Sequence, residues 1–495
     1  MKKILLIASI TVLAGIDAAA QAGEPYIHDP STIMECDGRY YTFGTGSGGL
    51  VSADGWVWNS GGVRPGGGAA PDVIKIGDRY LVGYTTSGGG LGGNHDSRVV
   101  TMWNKTLDPD SPDFAYTEPV EVAHSEPDED CDAIDIGFIM TPEGRLYCTY
   151  GTYFGNIRIV ELDPATGGRM PGNQAADIAI DCEATKMIYR DGWYYLLGTH
   201  GTCCDGVNST YNIVVGRSRS VTGPFLDNMG RDMLRGGGKM VIAAEERLFG
   251  AGHFGPIIID EGVEKMSLHF EADLDRGGYS VLAIRPLLWK DGWPEAGEML
   301  ADGNYKILSR RRGYALELTV DFERAEGGFR FWFDQNKSIV VLEGQKLGDV
   351  IGGWPAGSIP VRMSDYMARP HQKWTIEAVP EAGGYLGGPY YKIVIEGTDR
   401  ALAVAEGAHL ETVAEFSGAS RELWRIEQLI DGTYRIMPKE IPGQAGNDGR
   451  GQAGNDGRGQ AGNDRLCLVS VADSTPGLGR FDFCSDNCKW DLKRH

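Results

Sequence analysis

The stretch Gly38-Arg39-Tyr40-Tyr41-Thr42-Phe43-Gly44-Thr45 decides the fold, because its pattern returns along the chain. A glycine turn leads into a tyrosine-rich strand. The same unit appears at 77–84 (GDRYLVGY), 144–151 (GRLYCTYG) and 192–199 (GWYYLLGT), with a weaker fifth copy at 262–270 (GVEKMSLHF). The turns lie 39, 67, 48 and 70 residues apart. A constant turn-and-strand core with loops of variable length is the pattern of propeller blades, in which a tight turn joins an inner strand to the next. The 72 glycines and 21 tyrosines of the 495-residue chain, with few amphipathic helical runs, point to many short strands. An all-β fold follows: a five-bladed β-propeller over residues 23–300.

Nine residues before each turn stand Asp29, Asp135, Glu183 and His253, with Gly68 in the second unit. If the units are blades, these positions begin the innermost strands and converge at one end of the axis. Like charges are costly to gather unless they bind a cation or do chemistry. Asp and Glu also open strands in ordinary turns, but the shared offset sets these apart. Three carboxylates around a pocket suit glycoside hydrolysis. One acid protonates the leaving oxygen and one base activates water from the opposite face, about 6.5–9.5 Å away in inverting enzymes. A third carboxylate raises the acid's pKa so that it holds its proton near neutrality.

On these residues the chain resembles glycoside hydrolase family 43, the arabinanase, arabinofuranosidase and β-xylosidase group. The matching segments are Ile27-His28-Asp29-Pro30-Ser31, Ala70-Pro71-Asp72-Val73, Ala133-Ile134-Asp135, Cys182-Glu183-Ala184 and Ile284-Arg285-Pro286-Leu287. The resemblance implies that Asp29 is the general base, Glu183 the general acid and Asp135 the group that tunes and orients the acid. It implies inversion at the anomeric carbon, with His28 and Arg285 contacting the sugar. His253 would help hold a calcium ion or its waters on the axis, or hydrogen-bond the substrate or Asp135. The loop Cys203-Cys204-Asp205-Gly206-Val207-Asn208-Ser209-Thr210-Tyr211 resembles the arabinan-active branch. The chain departs from the family at Ala70, where a tryptophan is common, and at Asp132, where asparagine is common. The Gly-rich loops at 61–68 and 87–93 border the expected pocket.

A second repeat starts near residue 310. Three strands, at Phe329, Tyr391 and Tyr434, each lead to an apolar strand, at Ser338, Ala401 and Leu466. Each unit closes on a tryptophan: Trp374, Trp424 and Trp490. The tryptophans are 50 and 66 residues apart, and a 22-residue low-complexity insert at 443–464 accounts for the longer interval. That insert is almost devoid of apolar side chains, so it cannot pack a core. The three units resemble the ricin-type β-trefoil, a carbohydrate-binding domain expected over 310–495, with the tryptophans as core residues.

Formal net charge is −21. This argues against nucleic acid or an anionic membrane as partner and fits a neutral polysaccharide or oligosaccharide. Residues 1–22 read as a signal peptide: Lys2 and Lys3, an apolar run from Ile4 to Ile16, then small residues up to Ala22. A periplasmic or extracellular protein is expected. Of the nine cysteines, none shows zinc-site spacing, and Cys484 and Cys488 are placed for a short bridge. The leading reading is a secreted inverting hydrolase of α-L-arabinofuranosyl linkages. Its alternatives are a β-xylosidase or exo-β-1,3-galactosidase on the same scaffold, or a non-catalytic glycan-binding protein.

Overall fold

The computed structural model describes residues 21–46, 48–62, 68–87, 96–319, 356–443 and 466–495, together with the backbone of 322–325 and 328–331. Nearly all of the expected leader, most of the low-complexity insert and of both glycine-rich loops, and the Ser338 strand lie outside these residues.

Residues 22–296 form five antiparallel sheets in chain order, one per repeat unit. The first strands of the five are Met34–Cys36, Ala69–Ile76, Gly137–Met140, Glu183–Arg190 and Leu248–Asp260, and they pack against their neighbours around a common axis. This is a five-bladed β-propeller. The repeated glycines are the hairpin turns inferred from sequence. In blades one and four both turn residues are left-handed (Asp37 φ 52°, Gly38 φ 76°; Asp191 φ 50°, Gly192 φ 79°), the conformation that matches the strand twist. Ala22–Gly23 adds to blade one in parallel beside Val57–Ser60.

The core of this unit is divided into wedges, one at each blade junction. Tyr41, Phe43, Val73 and Val82 fill the wedge between blades one and two. Leu81, Trp103 and Phe138 fill the next, and Ile139, Met187 and Phe225 the third. Leu197, Phe270 and Val281 lie between blades four and five, and Ile33, Trp58 and Ile284 close the ring.

One buried carboxylate on the axis ties four blades together. Asp72 accepts from the Thr32 N–H (3.1 Å) and hydroxyl (2.7 Å), from the Phe138 N–H (2.8 Å) and from the Lys186 ammonium. Asp72 is 4% and Lys186 6% exposed, so removing one partner leaves an uncompensated buried charge. Asp72→Ala is therefore expected to lower unfolding free energy by about 3–5 kcal/mol, read by chemical denaturation. A loss below about 1 kcal/mol, the value of a surface pair, would contradict this role.

The described residues of 303–495 build a second unit. Six strands pair in a closed ring: Gly303–Ser309, Trp374–Tyr385, Gly388–Ile395, Trp424–Gln428, Tyr434–Pro438 and Trp490–Arg494. Trp374, Trp424 and Trp490 are fully buried, as the sequence indicated. Each indole N–H donates to a carbonyl of a flanking strand: Leu316 (2.8 Å), Leu402 (3.0 Å) and Leu468 (2.8 Å). The contact occurs three times with the same geometry, once per sequence repeat.

The two units meet at the hairpin ends of the blades. Leu386 N–H bonds Asp54 O (2.8 Å) and Ile430 N–H bonds Gly262 O (3.0 Å). Glu427 draws in Arg425 (2.8 Å), Arg435 and Lys265 (3.5 Å), and Arg435 reaches Asp260 (2.7 Å). A cavity lined by Lys265, Met299, Tyr391 and Glu427 lies in this joint, and none of the axial carboxylates borders it. The joint is at the opposite end of the strands from Asp29 and His253.

Cys203 and Cys204 form a disulfide, and the other seven cysteines are free. The expected Cys484–Cys488 bridge is absent. The turn Asp486–Cys488 sends Cys488 inward against Met437 and Cys467, while Cys484 stays exposed.

Candidate active site

At the end of the axis remote from the joint, each blade carries a non-glycine residue in the left-handed region. These are Asp29 (φ 54°), Ala70 (44°), Asp135 (59°), Ala184 (47°) and His253 (55°). In blades two, four and five the strand register slips at this point, between Ala69 and Asp72, Glu183 and Lys186, and Gly252 and Gly255. Such bulges re-aim side chains and are frequent beside active sites. The left-handed positions also correct the uniform offset of nine. In blade two the left-handed position is Ala70, not Gly68. In blade four it is Ala184, so Glu183 sits one residue earlier than Asp29, Asp135 and His253 sit in theirs.

Each left-handed residue costs about 1–3 kcal/mol unless its surroundings fix it. Four are fixed alike, their N–H captured by a side chain of the preceding blade. Ala70 donates to Thr45 Oγ1 (3.1 Å), Ala184 to Asp135 Oδ2 (3.1 Å), His253 to Thr199 Oγ1 (3.0 Å) and Asp29 to His269 Nδ1 (3.1 Å). A ring of inter-blade hydrogen bonds thus sets the pocket floor. Thr45, Thr199 and His269 stand on second strands or just beyond them, where the spacing of the repeat gave no signal.

Asp29, Asp135, Glu183 and His253 are all buried (8%, 6%, 7% and 8% exposed) and close enough to shift one another's ionisation. Burial disfavours charge on Asp29, but two imidazoles overcome it. His253 Nε2 lies 2.9 Å from Oδ1 and His28 Nδ1 lies 2.9 Å from Oδ2, and the carboxyl is held well below the ordinary range. The Thr45 hydroxyl also donates to Oδ2. Burial pushes Asp135 up, and despite His253 the Asp29 charge helps carry it to about 7. Burial, then the charges of Asp135 and Asp29, raise Glu183 well above the usual value, and its Oε1 accepts from the Tyr211 hydroxyl. His28 is driven up to about 10 against its burial by Asp29 and Glu271. His269 is held neutral by burial and by the cation on His28, stacked on it at 4.6 Å. One carboxylate is thus fixed as an anion and another as an acid, the division of roles that general acid–base catalysis needs.

Arg285 does not join this cluster. Strand alternation puts it on the face of Val281 and Leu287, between blades four and five. There it is 2% exposed and pairs with Glu245 at 2.6 Å. Its expected contact with a sugar hydroxyl is corrected accordingly. The rim carries an aromatic pair that the repeat does not mark. Tyr153 and Phe154 have ring centroids 4.6 Å apart, and the main chain of Cys203 hydrogen-bonds the Tyr153 hydroxyl. Asp132 anchors their loop by accepting from the Thr152 hydroxyl (2.9 Å).

Calcium takes six to eight oxygen ligands. His253 offers a ring nitrogen and not an oxygen, and its Nε2 is engaged by Asp29 at 2.9 Å, so it fits that ion poorly. Among the described residues, two groups of ligating atoms lie within 4.8 Å of one another: His28 with Cys203, Cys204 and Glu271, and His28 with Asp29 and His269. In the first the sulfurs are joined as a disulfide and offer no thiolate.

Comparison with known proteins gives a consistent result. The profile of glycosyl hydrolases family 43 matches residues 27–294. The chain is 32% identical over 331 residues to the extracellular exo-α-(1→5)-L-arabinofuranosidase ArbA of Cellvibrio japonicus, covering 57% of this chain and 90% of that one. It is 29% identical over 231 residues to the extracellular endo-α-(1→5)-L-arabinanase 1 of Bacillus subtilis, covering 46% and 67%. Among solved structures, an exo-1,5-α-L-arabinanase from a bovine ruminal metagenomic library superposes with a TM-score of 0.51 at 31% identity, over 55% of this chain and 97% of that one. The Cellvibrio cellulosa α-L-arabinanase complexed with arabinohexaose gives 0.51 at 27%, over 55% and 95%.

Proposed function

This chain belongs to glycosyl hydrolases family 43, and from that premise we propose that it hydrolyses α-L-arabinofuranosyl linkages of arabinan by a single inverting displacement. The observation that carries this is one pocket that buries Asp29 between two imidazoles, which favour its anion, and Glu183 beside two further carboxylates, which favour its acid form. Glu183 gives its proton to the glycosidic oxygen as the bond to the anomeric carbon breaks. Asp29 takes a proton from the water that attacks that carbon from the other face. A carboxylate offers about four acceptor directions, and His28, His253 and Thr45 take three, which leaves one for the water. Asp135 serves by raising Glu183 and by holding the Ala184 N–H. Where Ala70 supplies no ring, Tyr153 and Phe154 offer an apolar face to the furanose.

We also infer a β-trefoil of ricin type in the second unit, supported by its three equivalent tryptophan contacts and six-stranded ring. Its docking on the hairpin ends leaves the pocket mouth clear. Action outside the cytoplasm is supported by the relatives named extracellular. No helix among the described residues is long and apolar enough to cross a membrane.

The test is digestion of linear α-1,5-arabinan with chromatography of the products. Arabinose or arabino-oligosaccharides are expected, and their length separates exo from endo action. Silence on arabinan with turnover of nitrophenyl xyloside or galactoside would move the substrate. A bell-shaped pH profile is expected, because Asp29 must be ionised and Glu183 protonated. The Asp135 charge raises Glu183, so in Asp135→Asn the acid loses its proton at lower pH and the alkaline limb moves to lower pH. An unmoved alkaline limb would remove Asp135 from that role.

A further inference from the structure

We propose that Glu271 is a positioning residue that couples the catalytic base to the disulfide-bonded corner of the pocket, fixing His28 on one side and the Cys203–Cys204 loop on the other. This rests on the reading of Asp29 as the base.

Glu271 stands on the second strand of blade five, with its side chain 2% exposed. Its Oε1 accepts the Cys204 N–H (2.7 Å) and lies 3.2 Å from His28 Nε2, and its Oε2 accepts the Asp205 N–H (3.3 Å). His28 turns its other nitrogen to Asp29 (2.9 Å). A continuous path therefore runs from the loop of blade four through Glu271 and His28 to the base. Both sulfurs and a nitrogen of His28 lie within 4.8 Å of the Glu271 carboxylate, so the disulfide forms a wall beside the residue that orients the base. The disulfide is a compact apolar face without a donor, suited to the ring face of a furanose, while Glu271 fixes its position through two backbone N–H groups. Loss of the carboxylate frees two things at once: the loop that shapes the sugar site and the imidazole that aims Asp29. Misplacement by about 1 Å costs roughly 100-fold in rate.

The experiment measures kcat and KM on α-1,5-arabino-oligosaccharides for wild type, Glu271→Ala, Glu271→Gln and the double variant Cys203→Ser/Cys204→Ser. Glu271→Ala is expected to lose about 100-fold in kcat/KM, with kcat reduced and KM raised. Glu271→Gln keeps an oxygen for the Cys204 N–H but turns a donor towards the Asp205 N–H and loses the charge that faces His28. Its KM is expected to fall between those of wild type and Glu271→Ala while kcat stays about tenfold down. The double serine variant keeps the backbone N–H groups and loses the wall, so KM should rise with kcat retained. Glu271→Ala at wild-type kcat/KM, or Glu271→Gln no better than Glu271→Ala in KM, would overturn the proposal. If the Glu271 variants do not fold, an unchanged KM in the double serine variant overturns it. Inactive wild type would instead refute the underlying assignment of the reaction.

Discussion

Asp29→Asn is expected to lower kcat on arabino-oligosaccharides by about 10²–10⁴-fold, with KM near the wild-type value. The amide fills the same space and can still face His28 and His253, but it cannot take a proton from water. Binding of the sugar uses the rest of the pocket, so the loss falls on the chemical step. In the wild type the base stays ionised well into acid because His253 and His28 hold it there against burial. His253 accommodates the change by shedding its proton, since Asp29 is the chief group that raises it against burial, and His28 keeps Glu271 as its partner. The variant should therefore remain folded, and thermal unfolding should show a transition as cooperative as that of wild type. Retention of more than about a tenth of the wild-type kcat would displace Asp29 from its assigned role.

Glu183→Ala is expected to cost a similar factor on natural linkages and much less on aryl arabinofuranosides. The acid is needed in proportion to the basicity of the leaving oxygen. A sugar alkoxide cannot depart without a proton, and a nitrophenolate can. The ratio of the two losses is the diagnostic quantity. Equal losses on arabino-oligosaccharide and nitrophenyl arabinofuranoside would mean that Glu183 supports the fold or binds the sugar without donating a proton.

The repeat was legible because a hairpin turn imposes its own residues. Left-handed Gly38 and Gly192 cannot be exchanged freely, so each blade leaves the same mark in the sequence. From those marks Asp29, Asp135 and His253 could be found by counting. Gly68 and Glu183 show where counting stops working, because the left-handed residue lies seven positions before the turn glycine in blade two and eight in blade four. Thr45, Thr199, His269 and Glu271 were harder to find for a different reason. They act from second strands or a loop on backbone N–H groups of another blade or of an adjoining loop, and such partnerships have no signature in the order of residues. Arg285 illustrates the reverse error. A residue inside a matching motif was expected in the pocket, but the two-residue period of its strand turns it into the wedge between blades. The three tryptophans of the second unit were readable as core because the same backbone carbonyl awaits each of them. Cysteine spacing misled at Cys484 and Cys488, where burial of one thiol separates it from the other.

The decisive measurement is proton NMR of an α-1,5-arabino-oligosaccharide during its first minutes of hydrolysis by the full chain, before the released sugar mutarotates. A water activated by Asp29 and a leaving group protonated by Glu183 act on opposite faces of the anomeric carbon, so β-arabinofuranose should appear first and the α anomer only as mutarotation proceeds. Initial appearance of the α anomer would require a covalent intermediate and would contradict the assignment of Asp29 as a base.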